Sequence, residues 1–163
     1  MVGRRFTFLF SAEDCFLLFS FFEKKIARHL RVNPGFGHGD QQDQLLPKKV
    51  EALAGQRVVA VSAGGYHNLA LTTNGSVWSW GDGGFGKLGH GDMQGQLLPK
   101  KIEAFAVGSA SSPVSAGSYH SLAITADGAV FTWGKGEHGS LGHGEDLPNQ
   151  LLPKTIEAWA PGQ

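Results

Sequence analysis

Five histidines carry the first chemical question, because imidazole is the side chain most often recruited for proton transfer and metal ligation near neutral pH. His38, His90 and His143 each stand between two glycines, in Gly37-His38-Gly39, Gly89-His90-Gly91 and Gly142-His143-Gly144, while His67 and His120 each follow a tyrosine, Tyr66 and Tyr119. Equivalent places in successive copies are held apart by the width of a structural unit, so these rings do not converge on one metal. Their simpler role is to hydrogen-bond loop backbone that neighbouring glycines leave uncovered. The run Gly81-Asp82-Gly83-Gly84-Phe85-Gly86 matches G-x-G-x-x-G, and with Lys87 it also matches G-x-x-x-x-G-K. Both phosphate motifs must open a helix, yet the next residues are Leu88-Gly89-His90-Gly91. Leu88 occupies the place of the magnesium-binding hydroxyl, and the parallel copy has Ser140 where the lysine should be. These runs therefore read as loop geometry. Cys15 is the only thiol, and no spacing suggests a nucleophile, a base and an orienting group together. The expectation is no catalytic residue, no cofactor, no metal and no small-molecule substrate.

The elements that position these residues are repeated. Gly37, Gly89 and Gly142 open closely similar runs, "GHGDQQDQLLPKKVEALA", "GHGDMQGQLLPKKIEAFA" and "GHGEDLPNQLLPKTIEAWA", at spacings of 52 and 53 residues, and the blocks that begin at Ala63 and Ala116 keep the same step. A period of this size sets the architecture before any local reading does. Within each copy the pattern is that of short strands. Arg57 to Ser62 is β-branched and apolar, and His67 to Thr72 alternates with period two. Asn74-Gly75 then precedes Val77 to Trp80, and Asp127-Gly128 precedes Val130 to Trp133, which are strong hairpin signals. A fourth, outer strand is expected over Pro47 to Glu51, Pro99 to Glu103 and Pro153 to Glu157, where a proline at the start costs no ladder bond. The 24 glycines suit a fold with many tight turns. The fold class is all-β: about two four-stranded antiparallel blades of a β-propeller plus part of a third.

The combination of Gly-His-Gly-Asp, Leu-Leu-Pro-Lys-Lys-Ile-Glu, Ala-Gly-x-Tyr-His-x-Leu-Ala-Leu-Thr and Trp-Gly before a glycine-rich loop resembles the regulator of chromosome condensation (RCC) repeat. The resemblance runs from about Asn33 to Gly162. It implies a propeller, usually of seven blades, in a family that includes an exchange factor for a small GTPase, HECT-type ubiquitin ligases, a plant ultraviolet-light receptor and trafficking scaffolds. Function is not inherited with such a fold. The repeat signature falls on Gly37, His38, Gly39, Gly64, His67, Trp80, Gly81, Gly89, His90, Gly91, Gly117, His120, Trp133, Gly134, Gly142, His143 and Gly144. Repeats are expected at 33–88, 89–141 and, in part, 142–163. The resemblance implies a non-catalytic protein-binding module, with guanine-nucleotide exchange or the propeller part of a HECT-type ligase as alternatives. Tyr66, Phe85, Lys87, Tyr119 and His138 are the candidate partner contacts.

Residues 1–32 have another composition. Seven of the 11 phenylalanines lie in the first 22 residues, and a basic stretch from Glu23 to Arg31 follows. Glu13 and Asp14 interrupt the apolar run, and one acid at the middle of a membrane helix costs about 2.5–3.5 kcal/mol, so no membrane span is expected. The segment reads as a divergent leader, helical or disordered, outside the propeller. The 14 Lys+Arg balance the 14 Asp+Glu, which argues against chromatin contact by bulk charge. A single cysteine fits the reducing cytoplasm or nucleus. Two blades leave sheet edges open, and open edges invite self-association.

Overall fold

The computed structural model describes residues 8–9, 36–42, 44–46, 48–105, 110–144 and 148–159. Two antiparallel sheets account for nearly all of the regular structure. The first contains β1 (Phe8–Leu9), β2 (Val58–Ala63), β3 (His67–Thr72), β4 (Val77–Gly81) and β5 (Gln96–Lys101), in that spatial order. The second contains β6 (Ala110–Ala116), β7 (His120–Thr125), β8 (Val130–Gly134) and β9 (Gln150–Thr155). β2–β5 and β6–β9 are two propeller blades, and β1 adds a short fifth strand to the first by pairing Phe8 with Val61 and Leu9 with Ala60. Apart from Phe8 and Leu9, the leader expected at 1–32 lies outside the described residues. No helix among the described residues is long and apolar enough to cross a membrane.

The hairpins stand where Asn-Gly and Asp-Gly mark them, but the turn differs from the two-residue form that those pairs favour. Four residues separate β3 from β4 and β7 from β8, and in each loop only the glycine, Gly75 or Gly128, takes a positive φ. Asn74 and Asp127 act through their side chains instead. Asn74 Oδ1 accepts from Thr72 Oγ1 (2.6 Å) and from the Ser76 N–H (3.2 Å), and Asp127 Oδ1 accepts from Thr125 Oγ1 (2.6 Å). These bonds close the loop from within.

The outer strand is a correction to the expected position. It begins at Gln96 and Gln150, ahead of the leucine pairs, and not at Pro99 and Pro153. Gly81 pairs with Gln96 while Ser79 pairs with Lys100, so the register shifts between them and Pro99 is accommodated at a bulge of an edge strand. No strand forms over 48–51, and a 3-10 turn, Glu51–Leu53, follows there instead. Each sheet thus takes its outer strand from the start of the next sequence repeat, and 142–155 completes the second blade. The loop around Gly37 packs on Trp80 of blade one as the loop around Gly89 packs on Trp133 of blade two.

One apolar core joins the blades. Ala60, Leu69, Leu71, Val77, Ile102 and Phe105 from the first meet Val114, Ala116, Ala123 and Trp133 from the second. Phe105 also packs edge-on against Phe131, with centroids 5.3 Å apart. Burial of each large side chain here is worth about 1.5–3 kcal/mol. Leu69, Leu71 and Val77 are sealed at 0–1% exposure, whereas their equivalents Leu122, Ile124 and Val130 in blade two are only half-buried. A face built to be covered by another blade is expected to associate. Sedimentation of the 163-residue chain should show mass rising with concentration; a single monomeric species with a sharp, high-temperature unfolding transition is the contrary result.

Candidate partner-binding face

The two blades are held by hydrogen bonds across their junction. Ser62 Oγ accepts from the Ala116 N–H (3.0 Å), and Gly117 O accepts from the Gly65 N–H (3.1 Å). Lys87 O receives two donors from blade two, Ser121 Oγ at 2.8 Å and Trp133 Nε1 at 2.9 Å. The signature glycines place backbone where a side chain would not fit. Gly89 has φ +77, and a Cβ there would lie 2.9 Å from Trp133 Nε1; Gly37 holds the matching place against Trp80. Gly39 and Gly91 donate their N–H groups to the outer strand of the adjacent blade, at Leu97 O (3.1 Å) and Leu151 O (3.0 Å). Gly81 and Gly134 close the strand ends under Tyr66 O and Tyr119 O, and Gly142 and Gly144 repeat the loop at the far side of blade two. Trp80 and Trp133 are fully buried.

The histidines fasten loops and blades. Ser79 Oγ donates to Leu88 O (2.7 Å), so His90 Nε2, 2.9 Å from the same oxygen, must bring the proton of its own bond. Thr132, Leu141 and His143 repeat the arrangement at 2.7 and 3.1 Å. His67 does the same across the junction. Ser121 Oγ gives its proton to Lys87 O, so His67 Nε2 donates to Ser121 Oγ at 2.7 Å, and Nδ1 is left buried without a partner. Burial first, then the nearby Lys87 and His120, lower the His67 pKa to about 3, against a smaller raising effect of Asp82. His38, His90 and His143 are lowered as well, in each case mainly by burial.

A histidine lowered in the fold takes up its proton more readily when unfolded. Stability is therefore present above the unfolded pKa of 6.5 and is lost as pH falls from there towards 3. The expected slope is about 1.4 kcal/mol per pH unit for His67 alone. Urea unfolding at pH 7.5 and pH 5 should show this loss, and His67→Gln should flatten it; an unchanged slope would show that another group dominates.

One end of the blades carries the exposed chemistry. Tyr66 and Tyr119 stack at 5.9 Å, and Phe85 meets Tyr119 edge-on at 5.6 Å. Phe85 and His138 are equivalent tips of the loops after β4 and β8, each in a single 3-10 turn and each at positive φ, 63° and 58°, although neither is glycine. That conformation costs a non-glycine residue about 1–2 kcal/mol. Tyr119 and His138 are exposed, and Tyr66 and Phe85 are half-buried. Lys87 is the exception and corrects the expectation of a partner contact. Its side chain has no solvent exposure, it is paired with Asp82, and its ammonium lies 5.6 Å and 6.0 Å from the centres of the Tyr66 and Tyr119 rings. Lysine sequesters itself here because Asp82 and the rings replace its water. His120, the equivalent of His67, is half-buried.

Sequence reasoning missed Asp82, Ser121, Lys135 and Glu137. Lys135 pairs with Glu137 at 2.7 Å and lies over both Phe85 and Tyr119. The available signal was in the two loop copies, which share glycines at 81/134, 83/136, 86/139 and 89/142 and differ at 82/135, 84/137, 85/138 and 87/140.

Known proteins match this arrangement. The regulator of chromosome condensation (RCC1) repeat family matches residues 36–71 and 74–124, more than half of the chain, and a second RCC1-repeat family matches 58–87 and 114–140. The E3 ubiquitin-protein ligase HERC2 of Homo sapiens is 51% identical over 112 residues, which are 68% of this chain and 2% of the ligase. The ultraviolet-B receptor UVR8 of Arabidopsis thaliana is 41% identical over 120 residues, 74% of this chain and 27% of the receptor. Among solved structures, Prp20p from Saccharomyces cerevisiae, described with its binding properties to Gsp1p and histones, superposes with a TM-score of 0.65 at 25% identity, over 78% of this chain and 33% of Prp20p. The chain thus spans a third or less of each of these proteins. Blades locked in this way by Gly-His-Gly loops, and matched along this much of the sequence, are RCC1 repeats, and the protein belongs to the RCC1-repeat family of β-propellers.

Proposed function

We propose that the chain is a non-catalytic protein–protein interaction module, acting in the cytoplasm or the nucleus, whose contact surface is the loop face of Tyr66, Phe85, Tyr119 and His138. The observation that carries this reading is the pair Phe85 and His138. Both hold a strained backbone at the tip of a loop whose glycine framework is shared, and both present a side chain that differs between copies. Strain at a loop tip is retained where the side chain it aims has a use, and a rigid sheet below presents it at little entropic cost.

Binding tests this directly. Partners captured by the chain should be lost, by about tenfold or more in affinity, from a Tyr119→Ala/His138→Ala protein. They should be retained by Thr73→Ala, which alters the loop at the opposite end of blade one. Equal binding by all three proteins overturns the proposal. Guanine-nucleotide exchange is the second reading, favoured by the likeness to Prp20p, whose binding to Gsp1p is described. Accelerated nucleotide release from a panel of small GTPases would move the assignment to it. HERC2 places related repeats within a ubiquitin ligase, and for these residues the corresponding role is that of its propeller and not of its chemistry.

A further inference from the structure

The loop face holds a cation seated between two rings. Lys135 Nζ lies 5.3 Å from the centre of the Phe85 ring and 5.7 Å from that of Tyr119, within the range at which an aromatic face attracts an ammonium. Glu137 Oε2 closes the site at 2.7 Å. The walls come from both blades: Phe85 from the loop after β4, Tyr119 from the turn before β7, Glu137 from the loop after β8. Tyr66 stacks behind Tyr119 and holds its ring in place. The site opens to water, since the side chains of Lys135 and Glu137 are 28% and 58% exposed.

We infer that Phe85, Tyr119 and Glu137 form a receptor for a basic side chain of a protein partner, which Lys135 fills while no partner is bound. Two ring faces and a carboxylate are the groups that an ammonium or guanidinium takes in exchange for its water. Lys135 itself is not part of the repeat framework. Its equivalent in blade one is Asp82, and the equivalent of Glu137 is Gly84. The junction beneath is already neutralised by Asp82 and Lys87, so the fold stands without the Lys135 charge. An arginine suits the site better than the lysine it displaces, because a planar guanidinium stacks on a ring while it bonds a carboxylate through two N–H groups. An acidic side chain is disfavoured, since the carboxylate of Glu137 faces the site and is 58% exposed. The inference deepens the proposed partner-binding role, and it rests on that reading only for the source of the basic residue.

The test uses the full chain and an acetylated, amidated peptide, Gly-Gly-Arg-Gly-Gly, with glutamine in place of arginine as control, followed through ring-proton shifts of Phe85 and Tyr119. Lys135→Ala vacates the site and is expected to bind the arginine peptide about tenfold more tightly than the unaltered protein. Adding Tyr119→Leu should abolish that gain, with the fold checked by the unchanged shifts of the buried Trp80 and Trp133. No arginine binding by a folded Lys135→Ala protein, or equal binding of the glutamine peptide, overturns the inference. A failed arginine response beside intact partner loss in Tyr119→Ala/His138→Ala removes this inference alone. An arginine response beside unaffected partner binding removes the partner-binding proposal and leaves the cation site.

Discussion

A Gly64→Ala protein is expected to lose about 3 kcal/mol or more of stability, a large effect for one methyl group. A Cβ at Gly64 would lie 2.2 Å from Gly117 O and 3.1 Å from both Ala116 Cβ and His67 Cε1. The nearest atom is backbone of the second blade, already engaged with the Gly65 N–H at 3.1 Å, so it cannot swing aside as a side-chain end would. Relief requires the blades to part. That movement would weaken the Ala116 to Ser62 bond and the His67 to Ser121 bond together with the apolar contact behind them. Gly55→Ala is the comparison. Gly55 has φ +79 and no neighbour within 4 Å of a Cβ, so only backbone strain of about 1–2 kcal/mol applies. Thermal unfolding should separate the two substitutions, at roughly 2–4 °C per kcal/mol for a chain of this size, and the Gly65 amide should exchange faster in the Gly64 variant. Equal losses would mean that the junction is not where stability is concentrated.

The buried ion pair should respond asymmetrically. Asp82→Ala is expected to cost about 3–5 kcal/mol, because it leaves the Lys87 ammonium in a dry site without a counter-charge. Lys87→Met should cost less than about 1.5 kcal/mol. Asp82 is 41% exposed and regains water once the ammonium is gone, whereas Lys87 is 0% exposed and has no such recourse. The structural bonds at this residue survive the change, since it is the Lys87 carbonyl and not its side chain that receives Ser121 and Trp133. Adding Lys87→Met to Asp82→Ala should therefore recover most of the loss. Urea titration of the four proteins in this cycle gives the answer. Equal costs for the two single changes would mean that the pair is more hydrated than its burial indicates.

The legibility of this protein divides along physical lines, as particular residues show. His67 to Thr72 could be placed as a strand to the residue, because alternation is a property of adjacent side chains. Gly75 and Gly128 were placed in turns for the same local reason. Lys87 could not be placed. In sequence it is a lysine in a glycine-rich loop, and only the approach of Tyr119 and the rest of blade two takes it out of water. The outer strand was misplaced by a few residues because its limits depend on where β4 offers partners, with Gly81 reaching Gln96 across a bulge. Nothing in the sequence around Phe85 and His138 marks their backbones as strained, and only the folded loops show their positive φ.

What the sequence by itself determined is therefore the repeat, the all-β blades, their hairpins and the glycine positions, since each depends on groups a few residues apart or on a period that recurs along the chain. The tertiary structure alone decided which repeat supplies the outer strand of a blade, which charges are buried at the junction and which rings gather round Lys135. Those contacts join residues far apart along the chain, from Gly81 with Gln96 to Phe85 with Lys135, and their geometry is set only when strands pair and one blade packs against the next.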